Sequence, residues 1–153
     1  MQLNNPIAKI NSDPSDPGTV QSVTVTAQIS ELFERTTAAA QEIKLTILPS
    51  EYDGNMLPDA LVAFITGKIK DRLTNGQISI FLKAVNYNSA SLAFATLDSD
   101  TQNVVGISGT YASTQTDLDT AMANGRTGLI DLIKNALIAE FIDTTTTTTG
   151  GTN

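Results

Sequence analysis

The sequence predicts an α+β fold, a mainly antiparallel sheet of about five strands with two helices packed on it. Three observations carry this expectation. Two stretches before Pro49 alternate apolar and polar residues, the period of a half-buried strand. Two later stretches repeat apolar residues every four positions, the stripe of a core-facing helix. Between those helices lie three short alternating segments with no helix separating them, so the order reads β-β-α-β-β-β-α.

Residues 1–18 read as an extended N-terminal arm. Asn11-Ser12-Asp13-Pro14-Ser15-Asp16-Pro17-Gly18 concentrates turn-forming residues and cannot continue a helix or a central strand. The domain proper is expected over 19–142. Its first strand carries Val23, Val25, Ala27 and Ile29 on one face against Thr24, Thr26, Gln28 and Ser30 on the other. Ile43, Leu45 and Ile47 alternate with Lys44 and Thr46 in a second strand that Pro49 stops. From Glu31 to Gln41 two readings stay open: Ala38-Ala39-Ala40 suits a helix, and the two strands extended into a long hairpin also fit.

A helix is expected from Pro58 to Leu73. Pro58 suits a first turn and Asp59 the positive end of the helix dipole. Leu57, Leu61, Ile65, Ile69 and Leu73 form its stripe, and Asn75-Gly76 is its stop. Three strands follow, on Ile78, Ile80, Leu82 and Ala84, then Leu92 and Phe94, then Val105 and Ile107. Thr116 and Asp119 make a capping pair for a second helical region. Asn124-Gly125 breaks that region before the main helix, Thr127 to Ile142. Residues 143–153, with six consecutive Thr followed by Gly-Gly-Thr-Asn, read as a low-complexity tail.

At 153 residues the chain has the size of one domain, and 41% hydrophobic residues are enough for its core. Cys and His are both absent, which removes thiolate chemistry, the commonest general base and the commonest metal ligand. Nine Lys and Arg face sixteen Asp and Glu, a net charge of −7. The only local basic group is Lys68, Lys70 and Arg72, so no basic face for nucleic acid is expected. Met1-Gln2-Leu3-Asn4-Asn5-Pro6 lacks both the basic and the apolar region of a signal peptide, and no apolar run has the length to span a bilayer.

Short motifs fail on inspection. Asp98-Ser99-Asp100-Thr101-Gln102-Asn103 begins like a calcium loop, but Asn103 and Gly109 stand where Gly and Glu are needed. Gly106-Ile107-Ser108-Gly109 lacks the spacing of a nucleophile elbow, and without His nothing conventional activates Ser108. Gly67-Lys68 has Val62 where a phosphate loop begins with Gly. Glycosidase chemistry needs only two carboxylates. The pairs Glu51 with Asp53, Asp98 with Asp100 and Asp117 with Asp119 all lie in turn or cap contexts, and there is no Trp to line a sugar cleft. No catalytic residue, cofactor-binding residue or metal ligand is therefore assigned.

The last helix is more suggestive. Leu129, Ile133, Leu137 and Phe141 form a core stripe widened by Leu132 and Ala136, yet Ile130, Ile138 and Ile142 fall outside it. Such a helix is either sandwiched in its own domain or packed on another chain. Ile130, Ile138 and Ile142 are thus candidate subunit contacts. Twenty-two Thr, with abundant Ala, Ser and Asn and little charge, give a composition that resembles the head, neck and tail proteins of tailed bacteriophages. That resemblance implies a non-enzymatic virion subunit (tail tube, neck or capsid-associated). It would be made in the host cytoplasm without a signal peptide, and its partners would be copies of itself and other virion proteins. No nucleic acid, membrane, cofactor or small-molecule substrate is expected. A small-ligand or surface-binding module is the alternative, and a carboxylate-based hydrolase ranks below it.

Overall fold

A computed structural model describes residues 2–33, 35–54, 56–98 and 107–141. In chain order these form β1 (Gln2–Asp13), β2 (Asp16–Leu32), β3 (Arg35–Ile47), a single 3-10 turn (Pro49–Glu51) and α1 (Pro58–Thr74). They continue as β4 (Ile78–Asn86), β5 (Ser91–Asp98), β6 (Ser108–Ala112), α2 (Gln115–Ala123) and α3 (Gly125–Glu140). The fold is α+β. Among the described residues it has three helices and two three-stranded antiparallel sheets, β1-β2-β3 and β4-β5-β6, rather than one sheet of about five strands with two helices. Ile142, the tail 143–153 and residues 99–106, Val105 among them, lie outside the described residues.

The extra strand and the extra helix have local causes. β1 comes from the segment read as an arm, paired antiparallel to β2 from Gln2↔Glu31 to Asp13↔Asp16. Its turn is closed by the Asp13 carboxylate, which accepts the Ser15 backbone N–H at 2.8 Å and the Ser15 hydroxyl at 2.6 Å. Pro6 sits in a register irregularity between Asn4 and Ile7, a place where an edge strand tolerates a missing N–H. Ile7 lies opposite Thr26 and Ile10 opposite Val23, on different faces, so the strand shows no period of two in sequence. The extra helix arises at Asn124, where the chain restarts through Gly125 at φ 67. Thr114 rather than Thr116 caps α2, accepting the Asp117 N–H at 3.1 Å. Asp119 instead accepts the Tyr87 hydroxyl at 2.8 Å.

Elsewhere the periodicities correspond to buried faces. The register Val23↔Ile47, Val25↔Leu45 and Ala27↔Ile43 stacks apolar residues of β2 and β3 on one side, and all six are buried. Of the open readings for residues 31–41, the hairpin is the one formed, with Leu32 paired to Arg35. Leu61, Ile65, Ile69 and Leu73 of α1 are buried, whereas Leu57 is its N-cap residue and 73% exposed. Asn75 and Gly76 (φ 75) end α1 as expected. In α3 the stripe Leu129, Ile133 and Leu137, with Phe141 beyond it, is buried. These residues join those of both sheets in one contiguous core. No helix among the described residues is long and apolar enough to cross a membrane.

The two sheets are joined where Gln41 of β3 meets Ser108 of β6. The Gln41 side-chain amide accepts the Ser108 N–H at 2.9 Å and donates to the Ser108 carbonyl at 2.7 Å, doing the work of one rung of a β-ladder. At the β2–β3 turn, Phe33 has φ 53, a costly conformation for a bulky residue. It is held by its ring, edge-on to Phe94 at 6.0 Å and tilted on Tyr111 at 5.1 Å. Its N–H also donates to the Glu140 carboxylate at 3.2 Å, tying the turn to α3.

Replacing Gln41 by Leu keeps bulk but leaves both Ser108 backbone groups without this partner, a loss of about 1–3 kcal/mol. Urea unfolding should show that loss, with amide exchange accelerated at Ser108; an unchanged exchange rate there refutes the junction's role. At Gly128 a Cβ would come within 2.1 Å of the Ala121 carbonyl oxygen, while at Gly67 it would meet nothing within 4 Å. Helix propensity favours Ala over Gly by about 0.5–1 kcal/mol. Gly67→Ala should therefore raise the melting temperature, and Gly128→Ala should lower it because the α2–α3 crossing must open. Equal shifts in the two variants would show that the crossing yields freely.

Candidate functional site

Beside the end of β3, α1 and the 3-10 turn form a polar cleft of about 550 Å³. Ser22, Thr46, Glu51, Lys68, Asp71 and Arg72 are among its lining residues. Two of the three local basic residues, Lys68 and Arg72, stand one turn apart on this side of α1. Both are engaged within the chain. Lys68 forms an ion pair with Glu51, and its ammonium lies 5.5 Å from the Phe64 ring centroid. Arg72 donates to the Thr46 carbonyl at 3.1 Å. The Glu51 carboxylate also accepts the Leu48 N–H at 2.9 Å. Lys68 first, then the Leu48 N–H, hold Glu51 below the usual glutamate range. The cleft therefore ties α1 to the end of sheet β1-β2-β3, its charges satisfied internally.

The carboxylate pairs also serve local structure. Glu51 is committed to Lys68 and Leu48, and Asp53 lies exposed beyond the turn. Asp117 occupies the first turn of α2, while Asp119 binds Tyr87 and accepts from Gln115 at 3.3 Å. That bond raises the Tyr87 hydroxyl above its ordinary value. Asp98 ends β5 opposite Ile78, while Asp100 and the rest of the calcium-like sequence, 99–103, lie outside the described residues. Ser108 is the first residue of β6, with its N–H on Gln41. A second groove of about 460 Å³ runs between α2 and α3, past Asp117, Asn124, Asp131 and Asn135. Among the described residues no three His, Cys, Asp or Glu converge as metal ligands.

The candidate subunit contacts of α3 sit partly inward. Ile130 and Ile138 are half-buried and packed against the chain's own core. Larger exposed apolar groups occur elsewhere, on residues that periodicity did not single out. The last pair joining β2 to β3 is Val23↔Ile47, so residues 11–22 run on as a two-stranded ribbon beyond the end of β3. Val20 lies on its core-side face, 39% exposed, and Ile10, at its base opposite Val23, is 55% exposed on the same face. On the outer face of β4-β5-β6, Phe81 and Leu97 are 51% and 55% exposed. Phe81 was legible in principle, being a large aromatic at a polar position of the Ile78, Ile80, Leu82 alternation.

Because Glu51 titrates lower when folded, the pair stabilises above the unfolded-state value and is lost as pH falls through the lower folded value. Lys68→Met should remove about 0.5 kcal/mol at neutral pH, as for an exposed ion pair, and progressively less at acid pH as Glu51 protonates. Urea midpoints that differ from wild type equally at neutral and acid pH would assign the effect to packing on Phe64 instead.

Against known proteins the chain has no counterpart at significant similarity: no protein-family model, no curated protein and no solved structure matches it.

Proposed function

We propose that this chain is a non-enzymatic structural subunit of a symmetric assembly, a virion component of the tailed-bacteriophage kind its composition resembles. Its partners are copies of itself and other virion proteins. The β1–β2 ribbon is the observation that carries this reading. A two-stranded ribbon alone in water is at best marginally stable, because neither face is covered. Here it extends past β3 with Val20 exposed on the overhang and Ile10 exposed at its base. A neighbour that covers this overhang stabilises it. The commitment of the Glu51 and Asp119 carboxylates to local bonds supports a structural role over hydrolysis. The polar cleft favours the second reading, a small-ligand module, but Lys68 and Arg72 are already engaged there.

Light scattering and sedimentation of the purified chain over a wide concentration range test the proposal. The expected outcome is a defined multiple of the 16.2 kDa chain mass, with rings or short tubes in negative-stain electron microscopy. A monomer at every concentration overturns it.

A further inference from the structure

We infer that the interface is heterologous: the β1–β2 ribbon of one copy docks along β4, against the outer face of β4-β5-β6 of the next copy. This rests on the assembly reading above and names the two surfaces that meet. Neither surface has a further strand paired along its edge among the described residues. β1 and β4 are the terminal strands of their sheets, each presenting a row of backbone donors and acceptors to any extended partner. Each also carries exposed apolar groups, Ile10 and Val20 on the ribbon, Phe81 and Leu97 on the receiving face.

Charge distinguishes this pairing from ribbon on ribbon or face on face. The ribbon turn is flanked by Asp13 and Asp16, each fixed by its own turn hydroxyl: Ser15 donates to Asp13 and Thr19 to Asp16, both at 2.6 Å. The receiving side is basic. Lys83 is exposed at the bulge between Leu82 and Ala84, and the Arg126 guanidinium lies 6.0 Å from the Phe81 ring centroid. Spacing agrees as well. Asp13 lies about 10 Å along the strand from Ile10, and Lys83 about 7 Å from Phe81. Apolar contact and ion pairing can therefore form together within the reach of a Lys side chain. Two like copies of either surface would instead place acid on acid or base on base. A head-to-tail contact of this kind closes into a ring or continues as a filament, according to the rotation between copies.

Two blocked chains test the geometry. Ile10→Lys with Val20→Lys spoils the ribbon and keeps the face, while Phe81→Glu spoils the face and keeps the ribbon. All three positions are exposed, so far-UV circular dichroism should report native folding; Leu97→Glu serves if Phe81→Glu does not fold. Each blocked chain alone should be monomeric. Mixed in equal amounts they should form a dimer and nothing larger, since only one productive interface remains. Asp13→Asn with Asp16→Asn keeps the turn acceptors but removes the charge, and should weaken wild-type association about tenfold. A mixture that stays monomeric, or a blocked chain that assembles like wild type, overturns the head-to-tail pairing and leaves the assembly proposal standing. A wild-type chain that is monomeric throughout removes both.

Discussion

The structure depends on the seam between β3 and β6. Each sheet has only three strands, and each has one apolar face that must be covered. Covering both with one core requires the sheets to stay in contact along edges that share no regular ladder. Gln41 supplies the missing rung, and its amide does so with both its donor and its acceptor. Phe33 fastens the same seam at its end, trading an unfavourable backbone conformation for contacts with Phe94 and Tyr111 and a bond to Glu140. Unpaired backbone groups at this half-buried contact would cost more than either device, since amides that lose water go unsatisfied.

With the seam held, the long strands β1 and β2 have a fixed direction but more length than the core can cover. Sheet β1-β2-β3 is apolar beneath from Val23 to Ile29 and from Ile43 to Ile47, and α1 lies against it. Beyond Val23 the strands leave that support and continue as the ribbon. The register irregularities along β1, with Pro6 and Lys9, interrupt a flat edge that would otherwise invite indiscriminate pairing. An overhang limited in this way suits a defined contact better than open aggregation.

The chemistry of the chain is consistent with this mechanical reading. With neither His nor Cys, reactivity would have to come from carboxylates, Lys, Tyr or hydroxyls. The groups best placed to supply it serve the fold: Glu51 joins α1 to the turn before it, and Asp119 joins α2 to the β4–β5 turn through Tyr87. Asp13 and Asp16 shape the ribbon turn. Their remaining asset is charge at the surface, which governs recognition of other proteins more than bond making.

What the sequence by itself determined follows from local periods and local stops. Strands β2 and β3, helices α1 and α3, their buried residues and the end of α1 at Asn75-Gly76 were all legible, because side-chain direction repeats every 2.0 or 3.6 residues whatever lies opposite. Tertiary structure alone decided where those elements stop sharing neighbours. Leu57 completes a stripe in sequence yet caps the helix in solvent, and Ile130 and Ile138 look spare yet lean on their own core. β1 shows no alternation because Ile7 and Ile10, three residues apart, fall on opposite faces, and the register shift between Asn4 and Ile7 interrupts the period before them. The division into two sheets, the seam at Gln41 and the overhang past Val23 depend on which residues face one another across 67 positions of chain in the first case and on where β3 ends in the other. Those are properties of register and packing, and no local period encodes them.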